Sequence, residues 1–451
     1  MPLSRRGFLA GGTALAALAA LGSRQAFAVG RDGYGPLVAD PDGILDLPEG
    51  FRYRVLSRLG DPMSDGSATP AHPDGMAAFP NADGTITLVR NHEMNVSASR
   101  GGGVSVPAAK RYDPGRGAHV QGGTTSLVVS PDGRRLLGAY PTLGGTLLNC
   151  AGGPTPWRTW ISCEETVATA ASDDRLTKRH GYAFEVPASA RAPVTPVPLK
   201  AMGRFRREAV AVDPRSGRVY QTEDEPDACL YRFTPATPGR LADGGSLHAM
   251  RLVEFRGGVD TSNRLGGASA AFPLRYPFEV EWVPIPTPDP STTGTPVRHQ
   301  AQELGAAVLR RAEGIWWSPT DRAFYICSTD GGAGRSGQIF RLTPQDGEPD
   351  LFELYLEAPA PDTERGDGEW EWPDNITAAP WGGLVVCQDG PGRQHLSVVT
   401  AAGEVFRFAR NALDRSEFAG ACFSPDGTVL FVNVFGTTST PGLTLAVTGP
   451  W

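Results

Sequence analysis

Several signatures of common enzyme and binding classes are scarce or missing from this 451-residue sequence. Its seven histidines are scattered and form no spaced pair, so a histidine-based zinc site is not expected. A Gly-x-Ser-x-Gly elbow and a Ser-His-Asp set are also missing, which argues against a serine hydrolase. Lys+Arg number 42 against 49 Asp+Glu, with a net charge of -7 and no basic block. A nucleic-acid binder needs a positive surface, so this class is excluded.

Long hydrophobic runs are also missing, apart from a short one near the N-terminus. There, Arg5-Arg6 precede an apolar run over residues 8–21, and Ala26-Phe27-Ala28 follows as a small-residue cleavage site. This order predicts a cleavable twin-arginine signal peptide over residues 1–28. The apolar run is too short and too rich in Ala and Gly for a good membrane anchor, the alternative. We therefore expect export by the twin-arginine translocase and a periplasmic or secreted mature protein without a membrane span.

Cysteine is rare, with six residues spread over the chain. Cys327, Cys387 and Cys422 lie in apolar, strand-like runs, which predicts buried free thiols. Cys150 and Cys163 lie in polar surroundings rich in Gly and Pro and are the better candidates for chemistry.

Glycine and proline, in contrast, are abundant, with 56 and 40 residues, and they mark a repeated turn. A short apolar run ends at a proline-containing turn and a second apolar run follows. The prolines of the six copies are Pro80, Pro131, Pro214, Pro319, Pro380 and Pro425. Repeated β units of this kind predict an all-β fold, a six-bladed β-propeller with insertions between strands. Residues 29–451 would form this single domain, with an insertion at about 234–307; a pair of β-sandwiches is the alternative.

The repeat also aligns acidic residues. Six residues before the prolines stand Asp74, Thr125, Glu208, Glu313, Asp374 and Ala419. The first strand of each propeller blade lines the central channel, so these positions should form one ring at one mouth of the channel. The second strands end in polar residues at the same mouth, among them Asn91-His92-Glu93, Thr222–Glu225, Ser328–Asp330 and Gln388-Asp389. Crowded carboxylates repel one another, and hard oxygen ligands suit calcium or ferric iron.

A thiol joins these oxygen ligands. Cys150 and the adjacent pair Glu164-Glu165 fall near a further strand end between the second and third repeats. A thiolate beside carboxylates indicates a transition metal rather than calcium alone. Acidic residues at strand ends also serve as turn formers, and Asp330 and Asp389, each followed by Gly, fit that simpler role.

Together these motifs resemble the PhoX-type alkaline phosphatases. The resemblance runs from about residue 70 to the C-terminus and rests on a twin-arginine leader and several short motifs. These are Asn91-His92-Glu93, Asn149-Cys150-Ala-Gly-Gly, Thr155-Pro-Trp157, Cys163-Glu-Glu165, Gly203-Arg-Phe-x-x-Glu208-Ala, Thr222-Glu-Asp224 and Arg311-x-Glu313. It implies a six-bladed propeller whose channel mouth holds Fe3+ and Ca2+ and which hydrolyses small phosphate monoesters at alkaline pH. We expect a monomer.

The resemblance also implies roles for individual residues. Arg311 matches the arginine that grips the phosphate. Cys150 matches the iron-binding cysteine. Metal ligands are further implied at Glu208, Glu313, Asp374, Glu165, Asp224, Glu93 and Asn91, with the choice between Glu164 and Glu165, and between Glu223 and Asp224, left open. The family motif usually reads His-Glu where this chain has Arg207-Glu208.

Two other functions fit the same carboxylates. One is a calcium-dependent propeller that hydrolyses lactones or phosphotriesters, which would have no use for Cys150. The other is a non-catalytic exported propeller that binds a partner through its loops. Iron content separates the phosphatase from both.

Overall fold

The computed structural model describes residues 33–97, 102–264, 272–359 and 370–451. The predicted leader lies outside these residues. The described residues contain 28 β-strands, one α-helix and four 3-10 helices, so the prediction of an all-β protein is confirmed. The 3-10 helices are Ala108–Lys110, Lys200–Met202, Leu241–Asp243 and Val253–Phe255, and α1 is Val297–Glu303. No helix in the described part of the chain has the length and apolar character needed to cross a membrane.

The strands are numbered in chain order. They are β1 (Leu37–Val38), β2 (Leu45–Pro48), β3 (Arg52–Arg58), β4 (Pro73–Pro80), β5 (Ile86–His92), β6 (Val96–Ser97), β7 (His119–Val120), β8 (Gly122–Val129), β9 (Leu136–Thr146), β10 (Asn149–Pro154), β11 (Thr159–Glu164), β12 (Ala183–Pro187), β13 (Arg207–Val212), β14 (Val219–Glu223), β15 (Tyr231–Pro235), β16 (Gly245–Leu252), β17 (Phe278–Pro284), β18 (Ala312–Ser318), β19 (Ala323–Ser328), β20 (Gln338–Thr343), β21 (Asp350–Glu357), β22 (Pro373–Ala378), β23 (Leu384–Gln388), β24 (His395–Val399), β25 (Val405–Asn411), β26 (Phe418–Phe423), β27 (Val429–Val434) and β28 (Leu443–Thr448).

The sheets are antiparallel and most follow chain order. They are β4-β5-β8-β9, β10-β11-β12, β26-β27-β28-β3, β1-β2-β25-β24-β23-β22, the two-stranded β6-β7, and a nine-stranded sheet β13-β14-β15-β16-β17-β21-β20-β19-β18. In the nine-stranded sheet β17 bridges two runs of consecutive strands, β13 to β16 and β18 to β21.

The first strands of these runs meet at the centre of the molecule. β4 contacts β10, and the contacts continue through β13, β18, β22 and β26 back to β4. These six inner strands therefore surround one axis, and their sheets radiate from it. This β-propeller-like arrangement confirms the coarse part of the predicted fold.

Strands from the two ends of the described chain close the ring. β3, near the N-terminus, pairs with the last strand β28 from Leu443↔Arg58 to Thr448↔Arg52. β2 adds to the neighbouring sheet beside β25. The sheet that ends the chain is thus completed by a strand that begins it, which makes the ring a single cooperative unit.

Apolar side chains on both faces of the strands fill the space between neighbouring sheets. Trp316 on β18 packs against the clusters under three different sheets, so it fills the channel below the mouth. The six cysteines all lie within the described residues, and each is buried and unpaired. The expectation of free thiols at Cys327, Cys387 and Cys422 is confirmed.

One part of the sequence interpretation changes. The repeat copy that ends at Pro131 forms β8, the third strand of its sheet, so Thr125 does not line the channel. Its hydroxyl instead contacts Arg90 and His92. Residues 234–307, predicted as an insertion, include β16, β17 and α1.

The inner strands approach one another so closely that glycine is required at Gly314. A Cβ there would lie 2.5 Å from the backbone oxygen of Asp374 on the next inner strand. Gly257, in contrast, has ordinary φ and open space around it.

We expect Gly314→Ala to lower the free energy of unfolding by about 2 kcal/mol, because two inner strands must move apart to admit the methyl group. Urea unfolding followed by tryptophan fluorescence measures this. Gly257→Ala is the matched control and should remain within about 0.5 kcal/mol of the parent. Equal stabilities of the two variants would contradict the close approach.

Candidate metal centre

Each inner strand begins with a β-bulge. In β4, β10, β13, β18 and β22 the second and third residues together oppose one residue of the neighbouring strand. In β26 the register shifts one residue later. A bulge bends the strand and redirects a side chain, and here it turns the second residue towards the axis.

The second residues of the inner strands form the predicted ring, with one substitution. We call them ring residues: Asp74, Cys150, Glu208, Glu313, Asp374 and Ala419. Cys150 takes the place that the repeat had given to Thr125. The ring therefore combines four carboxylates and a thiol, and it has a gap at Ala419.

A second layer follows directly after the neighbouring strands. We call these strand-end residues: Glu93, Glu165, Asp224, Thr329, Asp389 and Phe435. Each donates its backbone N–H to the carbonyl oxygen of the residue two positions before a ring residue, at 2.9–3.1 Å. This repeated hydrogen bond holds four further carboxylates above the ring.

The acceptors of these hydrogen bonds form a third layer. We call them rim residues: His72, Leu148, Arg206, Arg311, Trp372 and Glu417. Four of them have left-handed backbone, with φ of 45° to 48° at His72, Leu148, Arg311 and Trp372. Since non-glycine residues rarely adopt this conformation, its recurrence marks a strained turn that leads into four of the six bulges.

The three layers bring ligand atoms together in four groups. Within each group the candidate atoms lie within 4.8 Å of one another. The groups are Cys150-Glu165-Glu208, Asp74-Glu93-Glu417, Glu208-Glu313-Asp374 and Asp374-Asp389-Glu417. Glu208, Asp374 and Glu417 each belong to two groups, so the four groups form one continuous cluster.

Without a cation, these groups resist ionisation. Burial and then the neighbouring carboxylates raise the pKa well above the ordinary value at Asp74, Glu165, Glu208, Glu313, Asp374 and Glu417. Burial and the Asp389 carboxylate raise the pKa of Glu93 to about 7. The pKa of the Cys150 thiol is also raised, by burial and by Glu208. A multivalent cation removes this penalty, because it favours the ionised form of every ligand around it.

The buried oxygen Oδ1 of Asp374 supports this reading, because it has no hydrogen-bond partner. It belongs to a side chain shared by two of the groups. A buried carboxylate oxygen without a donor is costly, and a bound cation would satisfy it. The donor set fits both expected metals, since Cys150 provides a soft ligand in one group and the other three offer only carboxylates.

Asp224 lies beside the cluster and contacts two rim arginines. Its carboxylate accepts hydrogen bonds from Nε and Nη2 of Arg311 at 2.9 and 3.3 Å, and Oδ2 lies 3.7 Å from Nη2 of Arg206. Arg311 also pairs with Glu313 at 2.7 Å, and Arg206 pairs with Glu165. Burial lowers the pKa of Arg311, but Glu313 and Asp224 outweigh it and the net shift is upward. Both guanidinium groups stay partly exposed at the mouth.

Asn91, predicted as a metal ligand, has hydrogen-bond partners on β10 and β11. Its amide donates to the carbonyl oxygens of Cys150 and Ala151, at 3.2 and 2.6 Å. Its side-chain oxygen accepts hydrogen bonds from Trp160 and Ser162, at 2.8 and 2.9 Å. Asn91 thus fixes the bulge that carries Cys150, and metal ligation by Asn91 stays a prediction.

Hydrogen-bond partners distinguish the two acids within each of the adjacent pairs Glu164-Glu165 and Glu223-Asp224. Glu164 points away from the mouth: its oxygens accept the backbone N–H groups of Leu147, Gly181 and Tyr182, and Oε1 lies 2.6 Å from His180. Glu223 likewise accepts the hydroxyl of Tyr231 at 2.5 Å. Glu165 and Asp224 are the acids that face the mouth.

Three acidic members of the cluster were not among the predicted ligands. Asp74 was aligned by the repeat but left out of the ligand set, and Asp389 was attributed to turn formation. Glu417 was missed, because it stands two residues before Ala419 in a copy without an acidic ring residue. Its only sequence signal is this offset, which it shares with Arg206 and Arg311.

His180 forms an ionic contact below the strand end that carries Glu165. Its ring nitrogens lie 2.6 Å from Glu164 and 3.2 Å from Asp113, and all three side chains are fully buried. Burial lowers the pKa of His180, but the two carboxylates outweigh it and raise it to about 9. The charged imidazole therefore joins the loop after β11 to the segment before β8.

We expect this contact to stabilise the fold fully below pH 6.5 and to be lost as the pH rises through 9, because the pKa in the folded state is the higher one. Urea unfolding is measured with a chelator present. Between pH 6 and 10 the free energy of unfolding of the parent should fall by about 3 kcal/mol more than that of His180→Gln. Parallel stability curves for the two proteins would show that His180 is not charged in the fold.

Comparison with known proteins gives the family. The model of the family "Alkaline phosphatase PhoX" matches residues 32–438. No curated protein matches the sequence. PhoX of Pseudomonas fluorescens, solved in complex with vanadate as a transition state analogue, is similar in structure with a TM-score of 0.68 at 19% identity, over 92% of this chain and 97% of that one. A gluconolactonase of Xanthomonas campestris gives a TM-score of 0.43 at 14% identity, over 92% and 98% of the two chains.

The family match extends over most of the chain and includes all the ring, strand-end and rim residues. The solved PhoX structure shares the overall fold across nearly its whole length. The chain therefore belongs to the PhoX alkaline phosphatase family.

Proposed function

We propose that this protein is an exported alkaline phosphatase that hydrolyses phosphate monoesters at a centre of iron and calcium ions in the channel mouth. One observation carries the proposal: a cluster of one thiol and eight carboxylates, most of them buried or half-buried, contacts two partly exposed arginines. Phosphoryl transfer requires charge neutralisation and positioning more than covalent chemistry by the protein, and this arrangement offers both.

The ligand groups divide by chemistry. Cys150, Glu165 and Glu208 would hold iron, because a thiolate favours a transition metal. The all-carboxylate groups would hold calcium, with Glu313, Asp374 and Glu93 among their members. Such cations, when bound, neutralise phosphate charge and stabilise the charge that develops during in-line displacement.

The arginines would bind the phosphate itself. Asp224 fixes the orientation of Arg311 through Nε and Nη2, which leaves Nη1 of the guanidinium to donate to phosphate oxygen. Arg206 extends the positive edge towards Glu165. In this proposal Asp224 orients the two arginines, and any ligation by it would be an additional role.

The finer architecture is also part of the proposal. The nine-stranded sheet counts as two blades, β13 to β16 and β18 to β21, with β17 as a bridging strand. The molecule is then a six-bladed propeller and a single domain over residues 29–451. The insertion lies between β16 and β18, because β16 is the outer strand of its blade. The leader over residues 1–28 would direct export by the twin-arginine translocase to the periplasm or the medium, where the mature protein would act as a monomer.

Metal analysis of the mature protein, with an optical spectrum of the same sample, tests the centre first. We expect iron and calcium together and a visible thiolate-to-iron band. Cys150→Ala and Glu208→Gln should both lose iron, and turnover should fall below about 1% of the parent because charge neutralisation is lost. Cys422→Ala and Asp213→Asn, remote from the mouth, are the matched controls and should keep both metals.

Calcium without iron in the parent would contradict this centre. The protein would then be better described as a calcium-dependent hydrolase of lactones or phosphotriesters, or as a binding propeller, and assays with those substrates would separate the two.

Arg311→Ala tests the phosphate grip separately from the metals. We expect kcat/KM for a phosphate monoester to fall about 100-fold, because a donor to the developing charge is lost, while the iron and calcium contents stay unchanged. Inhibition by inorganic phosphate should weaken as well. Arg310→Ala, whose side chain instead pairs with Asp260 at 2.9 Å, is the matched control. Unchanged turnover and inhibition in Arg311→Ala would refute the assigned role.

A further inference from the structure

A cavity of about 430 Å³ is lined by residues that neighbour Glu165, Arg206 and Asp224 along the chain. Its walls come from the loops after β11 and β14, the segment before β13, and residues 290–298 of the insertion. The first three of these segments also carry Glu165, Asp224 and Arg206. The cavity and the phosphate-binding edge are therefore built from the same loops.

Several residues that line the cavity are adjacent in the sequence to Arg206 and Asp224. Phe205 lines the cavity and directly precedes Arg206, while Glu223 and Glu225 line it and flank Asp224. Arg206, Asp224 and Glu165 contact one another. The cavity thus adjoins Arg206 and Asp224.

The cavity has a buried floor and an open rim. Phe205, Glu223 and Val297 in the floor are at most 2% exposed. At the rim, Val167 is 43% exposed, and Ala171 and Thr292 are exposed as well. An exposed apolar side chain beside hydroxyl groups is suited to contact an amphipathic ligand that enters from solvent.

The charged side chains that line the cavity already have hydrogen-bond or ionic partners. Arg204 donates to the carbonyl oxygens of His180 and Val167. Arg298 lies 3.7 Å from Glu223 and 3.6 Å from Glu225. Burial raises the pKa of Glu223 to about 8. At the alkaline pH of the proposed reaction the two arginines and two glutamates of the lining therefore balance, and the cavity offers no net charge to attract an ion. Glu225, Arg298 and the rim hydroxyls still offer hydrogen bonds.

We propose that this cavity binds the alcohol part of the phosphate monoester and that it favours neutral alcohols with several hydroxyl groups, such as a sugar. The proposal rests on the phosphatase function proposed above. The phosphate binds at Arg311 and Arg206, and the alcohol extends past Arg206 into the cavity. Esters of small alcohols bind through the phosphate alone and gain nothing from it.

Filling the cavity tests this selectively. Ala171→Trp places a large side chain at the rim, and the matched control Ala170→Trp alters the exposed neighbouring residue, which does not line the cavity. The substrates are glucose 6-phosphate and methyl phosphate, assayed with the iron- and calcium-loaded protein. Each variant is compared with the parent on the same ester, so the intrinsic reactivities of the esters cancel.

We expect Ala171→Trp to lower kcat/KM for glucose 6-phosphate about tenfold, mainly through KM, and to leave methyl phosphate within about twofold. Ala170→Trp should leave both esters unaffected. Thr292→Trp fills the cavity from the opposite wall and should reproduce the selective loss, with Thr293→Trp as its control. If Ala171→Trp does not fold, Thr292→Trp and its control Thr293→Trp test the proposed subsite instead.

Other outcomes overturn the proposal in distinguishable ways. If the parent hydrolyses both esters and neither filling variant discriminates between them, the cavity is not a subsite, while the phosphatase function stands. If the metal-loaded parent hydrolyses neither ester, the proposed function fails and the subsite fails with it.

Discussion

Mutual repulsion among buried carboxylates is the constraint on which this structure depends. The inner strands converge so closely that the side chains of their second residues meet at one axis, and most of those side chains are acidic. Burial and proximity both raise the pKa of these groups, so ionising them together is costly without a cation. A cation-binding centre explains why a fold would retain such a costly arrangement.

The same backbone hydrogen bond and bulge recur at the inner strands around the axis. Each strand-end residue donates to the carbonyl oxygen of a rim residue, and each inner strand begins with a bulge. Polar side chains opposite the bulges bind the next inner strand, as Asn91 does at Cys150 and Thr222 at Glu313. The geometry of the centre is therefore fixed by hydrogen bonds to the backbone, and the side chains at equivalent positions differ from one inner strand to the next.

Because the backbone geometry recurs while the side chains differ, the sequence could predict only part of the centre. The proline-containing turn marks the far end of most inner strands, so counting back from it found Glu208, Glu313 and Asp374. The same turn also follows the third strand β8, which placed Thr125 in the ring and hid the equivalence of Cys150. The resemblance supplied Cys150 from a local motif instead. Glu417 could not be found by either route, because its role depends on a rim position that only the backbone hydrogen bonds define.

The differences between the six positions divide the mouth into two sides. Arg206 and Arg311 occupy adjacent rim positions above Glu208 and Glu313, so positive charge is concentrated on that side. On the other side the ring has Ala419, and the rim residue Glu417 supplies the carboxylate to the groups around Asp74 and Asp374. An anionic substrate therefore meets arginine on one side and carboxylates that require cations on the other. In the proposed function the cavity adjoins the arginine side, so the phosphate would approach on that side and the alcohol part of the substrate would extend towards the insertion.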